Sequence, residues 1–118
     1  MHNFRKLDIW IKSIDLVTDI YKLTNHFPSC ERFGIISQMQ RSALSCPTNI
    51  AVGSAKSSNK DFARFLEISL GSLLELETEL IVSFNLGYVE LENYETLRDR
   101  IVELQKMVKS FINKLNTE

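Results

Sequence analysis

Ile36, Met39, Ala43, Cys46, Ile50 and Gly53 recur at intervals of three and four residues, and the interval does not change across Pro47. Such spacing marks one face of an α-helix. A proline inside a helix removes a backbone donor and crowds the carbonyl four residues earlier, so it bends or breaks the helix. If the chain broke at Pro47, nothing would keep Ile50 on the face that carries Ile36 and Ala43. The spacing therefore predicts one long second helix, kinked at Pro47, with an unpaired carbonyl near residue 43. A new helix beginning at Pro47, a residue suited to a first turn, is the alternative.

Helical spacing governs the rest of the chain as well, and no segment reads as a convincing strand. In the first segment Trp10, Ile14, Val17 and Tyr21 form one stripe, and Ile9, Leu16, Ile20, Leu23 and Phe27 form a second beside it. Together they cover about half the helix circumference, wider than the roughly 100° of a simple surface helix. Pro28 is expected to end that helix. The second helix is expected to start near Ser29 as its N-cap, with Glu31 in the favourable first turn. GSAKSSN, residues 53–59, reads as a loop with Asn59 capping the next helix.

The third segment, residues 60–86, places Phe62, Leu66, Ser69, Leu73, Leu76 and Leu80 on one face, flanked by Phe65, Leu70, Leu74, Ile81 and Phe84. Gly71 inside it costs roughly 1 kcal/mol against alanine, so close approach by another backbone is expected there. Gly87 has the place of a C-terminal cap. In the fourth segment Tyr94, Leu97, Ile101, Leu104, Val108, Phe111 and Leu115 alternate at three and four. Short connections make successive helices antiparallel. The predicted fold is all-α: an up-down four-helix bundle with a proline-kinked long second helix, one domain over residues 1–118.

Charge limits the partners such a bundle can take. The net charge is −1, which argues against a general polyanion binder. It is unevenly divided, however. Residues 1–64 hold nine Lys and Arg against five Asp and Glu, and residues 65–118 hold five against ten. The opening residues, MHNFRKLDIW, have no long apolar stretch with a small-residue cleavage site, and no apolar run approaches the roughly 18 residues of a membrane helix. A cytoplasmic protein without membrane contact is expected.

Candidate chemistry is sparse. Cys46 is a potential nucleophile, but His2 and His26 do not stand at a spacing that would make either its base. Cys46 also occupies the apolar stripe, where a free cysteine behaves as a small hydrophobe. No Glu-x-x-His pair suggests a carboxylate-bridged metal site, and His26 and Cys30 are separated by the Pro28 turn. The four glycines are isolated, so no phosphate loop is present. Neither metal nor cofactor is expected.

A polar ridge is more informative. Gln38, Arg41, Ser45 and Asn49 line one side of the second helix. Ser72, Glu75 and Glu79 form a comparable row on the third, with Glu77 and Thr78 nearby. Antiparallel packing would set Arg41 against one of these glutamates in a bidentate pair. The ridge is then a network that fixes helix register, or a binding or subunit surface. For nucleic acid the candidates are Arg5, Lys6, Lys12, Lys56, Lys60 and Arg64. The last three flank the GSAKSSN loop, where helix-start amides also favour anions.

Three stretches, FRKLDIW, RSALSCPTNIAVG and FLEISLGSLLELETEL, resemble the 23S rRNA intervening-sequence proteins, and the resemblance runs from about residue 4 to residue 115. It implies a small bacterial cytoplasmic four-helix bundle, homo-pentameric among relatives, with no established enzymatic activity. The family is also similar to accessory proteins of diversity-generating retroelements, which are basic and associate with nucleic acid and a reverse transcriptase. Two departures stand out here: Val52 replaces the glutamate usual before the glycine of the Asn-Ile-Ala motif, and the net charge is near neutral. The expectation is a non-catalytic homo-oligomer, a likeness-based pentamer, serving as an adaptor for an RNA, DNA or protein partner. Arg41, Ser45, Asn49, Ser72, Glu75 and Glu77 would form its polar network or interface, and Lys56, Lys60 and Arg64 would make any nucleic-acid contact. The alternatives are a nucleic-acid-binding module acting through the summed basic surface of a ring, and an enzyme using Cys46.

Overall fold

Pro47 lies inside an unbroken helix. The computed structural model describes residues 2–118, and four α-helices make up most of them: α1 (Asp8–Thr24), α2 (Ile35–Ser54), α3 (Asn59–Asn85) and α4 (Leu91–Thr117). Pro47 is buried in α2 and has no N–H to give to the Ala43 carbonyl. Side-chain donors gather on the carbonyls that follow. The Thr48 hydroxyl donates to the Leu44 carbonyl at 2.8 Å, and Asn49 Nδ2 donates to the Ser45 carbonyl at 2.9 Å. The buried Ser69 hydroxyl of α3 donates to the Cys46 carbonyl, also at 2.9 Å. The buried hydroxyl of Ser69 on the apolar face of α3 is thus satisfied by a backbone carbonyl of α2.

The bundle is up-and-down. Each helix packs on its chain neighbours, and α1 meets α4 to close the ring. The apolar stripes supply the core: Leu16 and Ile20 from α1, Met39 and Ile50 from α2, Leu66, Leu73 and Leu76 from α3, Ile101, Leu104 and Val108 from α4. Ile112, absent from the expected stripe, is buried with them. The wide face of α1 divides between a buried row and the half-buried Trp10, Val17 and Leu23 at the core edge. Among the described residues there is no strand, and no helix is long and apolar enough to cross a membrane.

Helix ends depart from the sequence expectations in three places. α1 stops at Thr24 rather than running to Pro28; the Thr24 hydroxyl turns back to the Ile20 carbonyl at 3.0 Å, and Phe27 reaches the core from the turn that follows. Ser29 does not cap α2. It heads only a short 3-10 turn, Ser29–Glu31, and α2 begins after Gly34 with no side-chain cap. The cap of α3 is Ser58, whose extended backbone lets its hydroxyl accept from the Asp61 N–H at 3.1 Å; Asn59 is already inside the helix.

The glycines also trade roles. A side chain at Gly71 would meet nothing within 4 Å, whereas one at Gly53 would lie 2.8 Å from Phe65 Cβ and 3.0 Å from Phe62 Cδ1. The close approach inside this chain is therefore at Gly53, where α2 lies against α3. Gly87 ends α3 as expected. Its φ is +81°, and the Gly87 and Tyr88 N–H groups donate to the Phe84 and Ser83 carbonyls, the double bond of a Schellman cap.

Candidate functional site

The polar ridge forms, but one residue away from where spacing alone puts it. The row of α2 that faces α3 is Gln38, Ser42, Ser45 and Asn49. Asn49 Nδ2 donates to Ser45 Oγ at 3.0 Å, and the Ser72 hydroxyl lies 2.8 Å from the same oxygen. About one turn of α2 further along the seam, the Ser42 hydroxyl donates to Glu79 Oε2 at 3.2 Å. Ser42 was missing from the expected set, although its spacing of four from Gln38 and three from Ser45 is as helical as that of Arg41. Its signal was a small hydroxyl where an arginine looked more consequential.

Arg41 and Glu77 do not take the places expected of them. Arg41 is exposed and lies within ion-pair distance of no carboxylate among the described residues. It stands about 100° around α2 from Ser42, at the rim of the seam with α3. Glu77 faces the opposite way, accepting from Gln105 Nε2 of α4 at 2.7 Å. Two positions along a helix are about 200° apart, so Glu75 and Glu77 cannot address the same neighbour. What remains is a groove of about 420 Å³ bordered by Gln38, Arg41, Ser42, Ser72, Glu75 and Glu79.

Glu79 is the uneasy member of this groove. Its Oε1 is buried without a hydrogen-bond partner. Burial pushes the carboxyl above its ordinary range; the Ser42 bond offsets part of that, and the charge of Glu75 adds to it. A carboxyl whose pKa is higher folded than unfolded favours the fold below its unfolded pKa. That contribution disappears as the pH rises through the folded pKa. Glu79→Gln is therefore expected to melt about 4 °C above the native sequence at pH 7, the equivalent of roughly 1 kcal/mol for removing a partly buried charge. The gain should shrink towards zero as the pH falls to about 4, where Glu79 is protonated. Thermal unfolding followed by circular dichroism across that range checks this; parallel curves at every pH would mean the carboxyl is not strained.

Beside the groove, and sharing Glu75 with it, α3 presents Ile68, Gly71, Glu75, Thr78 and Val82 at intervals of three and four. Ile68 and Val82 are half-exposed, as are Leu44 and Val52 on the neighbouring part of α2. With no side chain at Gly71, the middle of this row is flat and open.

The basic candidates gather at one end of the bundle. There the starts of α1 and α3 meet the ends of α2 and α4. Lys56 Nζ and Arg64 Cζ lie 4.9 and 5.3 Å from the Phe65 ring centroid, flanking it, and Arg64 also reaches Asp61 at 3.6 Å. Lys60 is exposed nearby. Residues 1–12, 50–67 and 103–118, which form this end, hold nine of the fourteen Lys and Arg but five of the fifteen Asp and Glu. The imbalance between chain halves has become one between bundle ends.

Cys46 is almost fully buried, and that burial pushes its thiol up to about 12, so it stays protonated at neutral pH and lacks the thiolate a nucleophile needs. Cys30 is exposed and unpaired. No group of three or more His, Cys, Asp or Glu among the described residues could hold a metal ion.

Comparison with known proteins places this geometry in context. The family model described as 23S rRNA-intervening sequence protein matches residues 5–110. A crystal structure of a protein of unknown function from the S23 ribosomal protein family, from Bacteroides thetaiotaomicron, superposes with a TM-score of 0.80 at 27% identity. The match covers 88% of this chain and 97% of that one. A search of curated proteins matched none.

Proposed function

The chain belongs to the 23S rRNA-intervening sequence protein family, and from that premise we propose that it is a non-catalytic, homo-oligomeric scaffold that presents a shared surface to an RNA, DNA or protein partner in the cytoplasm. The observation that carries this reading is the outer row of α3. Ile68 and Val82 are left half-exposed on either side of Gly71, where an added Cβ would meet nothing within 4 Å among the described residues. Helix glycine costs stability unless something needs the space, and a second helix backbone is what such a flat row accommodates. The groove beside it, with the unpartnered Glu79 oxygen and the free Arg41, would supply polar contacts across the joint. A ring of five copies, as the family resemblance suggests, would hold five basic ends on one rim.

That arrangement also supports the second reading, a nucleic-acid-binding module. A monomer of net charge −1 attracts a polyanion weakly, but several copies of the Lys56, Lys60 and Arg64 end would together form one basic surface.

Sedimentation velocity on the purified chain tests the assembly. A single species several chains in mass is expected, and Ile68→Glu with Val82→Glu should reduce it to monomers of unchanged helical content. A native protein that is monomeric at about 100 μM, a weak affinity for an obligate assembly, would overturn it. Titrating the same preparation with labelled structured RNA and duplex DNA across a salt series separates the two readings. Binding that falls steeply with salt, and that Lys56→Ala/Lys60→Ala/Arg64→Ala removes, supports the module. No binding at low salt leaves the scaffold with a protein partner.

A further inference from the structure

α1 has 17 residues and α4 has 27, so α4 outruns its partner by roughly 15 Å at 1.5 Å per residue. The ion pairs Lys12–Glu103 and Asp19–Arg100, both at 2.7 Å, fix the antiparallel register. That register sets the start of α1 near residues 107–111, and the last turns of α4 run past it. On the α1 side, Leu7, the short 3-10 turn Phe4–Lys6 and His2, whose ring lies 6.0 Å from that of Phe111, are what cover them among the described residues. The mismatch opens a groove of about 620 Å³ whose floor is Ile9, Met107 and Phe111. Lys6, Lys106 and Lys114 stand around it, and none of the three has an ion-pair partner among the described residues. The carboxylates at its edge are Glu103, already held by Lys12, and Asp8.

We propose that this groove binds an amphipathic monocarboxylate, its apolar body lying on Ile9, Met107 and Phe111 and its carboxylate among Lys6, Lys106 and Lys114. The volume lies within the roughly 300–1,000 Å³ of small-molecule sites, and an apolar floor with a few convergent polar groups is their usual lining. A macromolecular partner normally covers about 800 Å² on each side, far more than a trough at one helix end offers. The charge around it favours an anion: three cations line the opening against one unpaired carboxylate, Asp8, because Glu103 is taken by Lys12. Apolar contact supplies most of the affinity, since exposed lysine–carboxylate pairs are individually weak; the lysines set the preference for a charged ligand over a neutral one of the same length.

Octanoate and 1-octanol, titrated separately into the ¹⁵N-labelled full chain, test this by amide chemical-shift mapping. Octanoate should bind saturably at one site per chain and move the amides of residues 7–9 and 106–114, with 1-octanol roughly tenfold weaker. Lys106→Glu/Lys114→Glu, both changes at exposed positions, should weaken octanoate about tenfold and leave 1-octanol unchanged. Ser110→Trp, which fills the trough from its exposed edge, should abolish binding of both. Three results would overturn the proposal: no saturable shifts by ~1 mM ligand, the weak end of specific binding; shifts lying elsewhere on the bundle; or equal affinity for the two ligands. If Ser110→Trp leaves octanoate binding intact but changes the sedimenting mass, the groove is an interface between copies, and the proposal fails while the oligomeric scaffold stands.

Discussion

Gly53→Leu should lower the melting temperature by roughly 10 °C or more, while Gly71→Ala raises it by about 4 °C. Gly71 lies in the middle of α3, where a side chain would improve helix propensity by about 1 kcal/mol, and Gly53 in the last turn of α2, where the gain is smaller. The surroundings decide the sign. At Gly53 even a Cβ would come within 2.8 Å of Phe65 Cβ, an atom next to backbone that cannot swing aside. α2 and α3 must move apart along their seam, and overpacking of this kind costs about 1–3 kcal/mol, more for a residue as large as leucine. At Gly71 nothing lies within 4 Å, so the isolated chain keeps the propensity gain. Circular dichroism melts of the two variants at concentrations that keep the chain monomeric would check this; a destabilised Gly71→Ala under those conditions would mean that α3 is not open on that side.

Phe62→Ala is expected to cost about 3–5 kcal/mol, a large part of the 5–15 kcal/mol that holds a domain of this size together. Phe62 is 1% exposed. It lies against Gly53 of α2 and packs its ring at 5.5 Å from Phe111 of α4 and 5.0 Å from His2. Truncating it removes contacts with three parts of the chain at once, and α2 and α4 cannot close on the space without shifting as helices. Phe33, 89% exposed, is the control: Phe33→Ala should leave the stability within about 0.5 kcal/mol. Because Phe62 and Gly53 touch, their effects should not add. Gly53→Leu/Phe62→Ala is expected to be less unstable than the sum of its parts, since the new leucine partly fills the vacated space. Strict additivity in urea unfolding would show that the two residues do not share a contact.

These contrasts also mark where the sequence was legible. Stripes at three and four carried the core of α3 and α4 almost residue by residue, and they carried α2 through Pro47, because burial on one face leaves a periodic trace. Gly53 stood in such a stripe and Gly71 beside one, so the close approach could have been assigned correctly by giving the stripe more weight than the isolated glycine. Caps were less legible. Ser58 and Asn59 are both capping residues, and the choice fell to whichever had extended backbone three residues before a free amide. The ridge was legible as a ridge, but a helix turns 100° per residue, so one position moved the facing role from Arg41 to Ser42, and two removed Glu77 from the groove. Contacts between residues far apart in sequence, such as Asp19 with Arg100 or Glu31 with the Tyr88 hydroxyl at 2.9 Å, left no local trace at all.

The short first helix has a consequence for motion. α1 packs more extensively on α2 than on α4, and its seam with α4 joins the two ends of the chain. α1 is the shortest of the four helices and makes the least contact with the other three, so it should detach first in sub-global opening. In native-state hydrogen exchange its amides should lose protection before those of α3, as one cooperative unit. The bundle would breathe along the α1–α4 edge, where the basic end and the lysine-rimmed groove both lie.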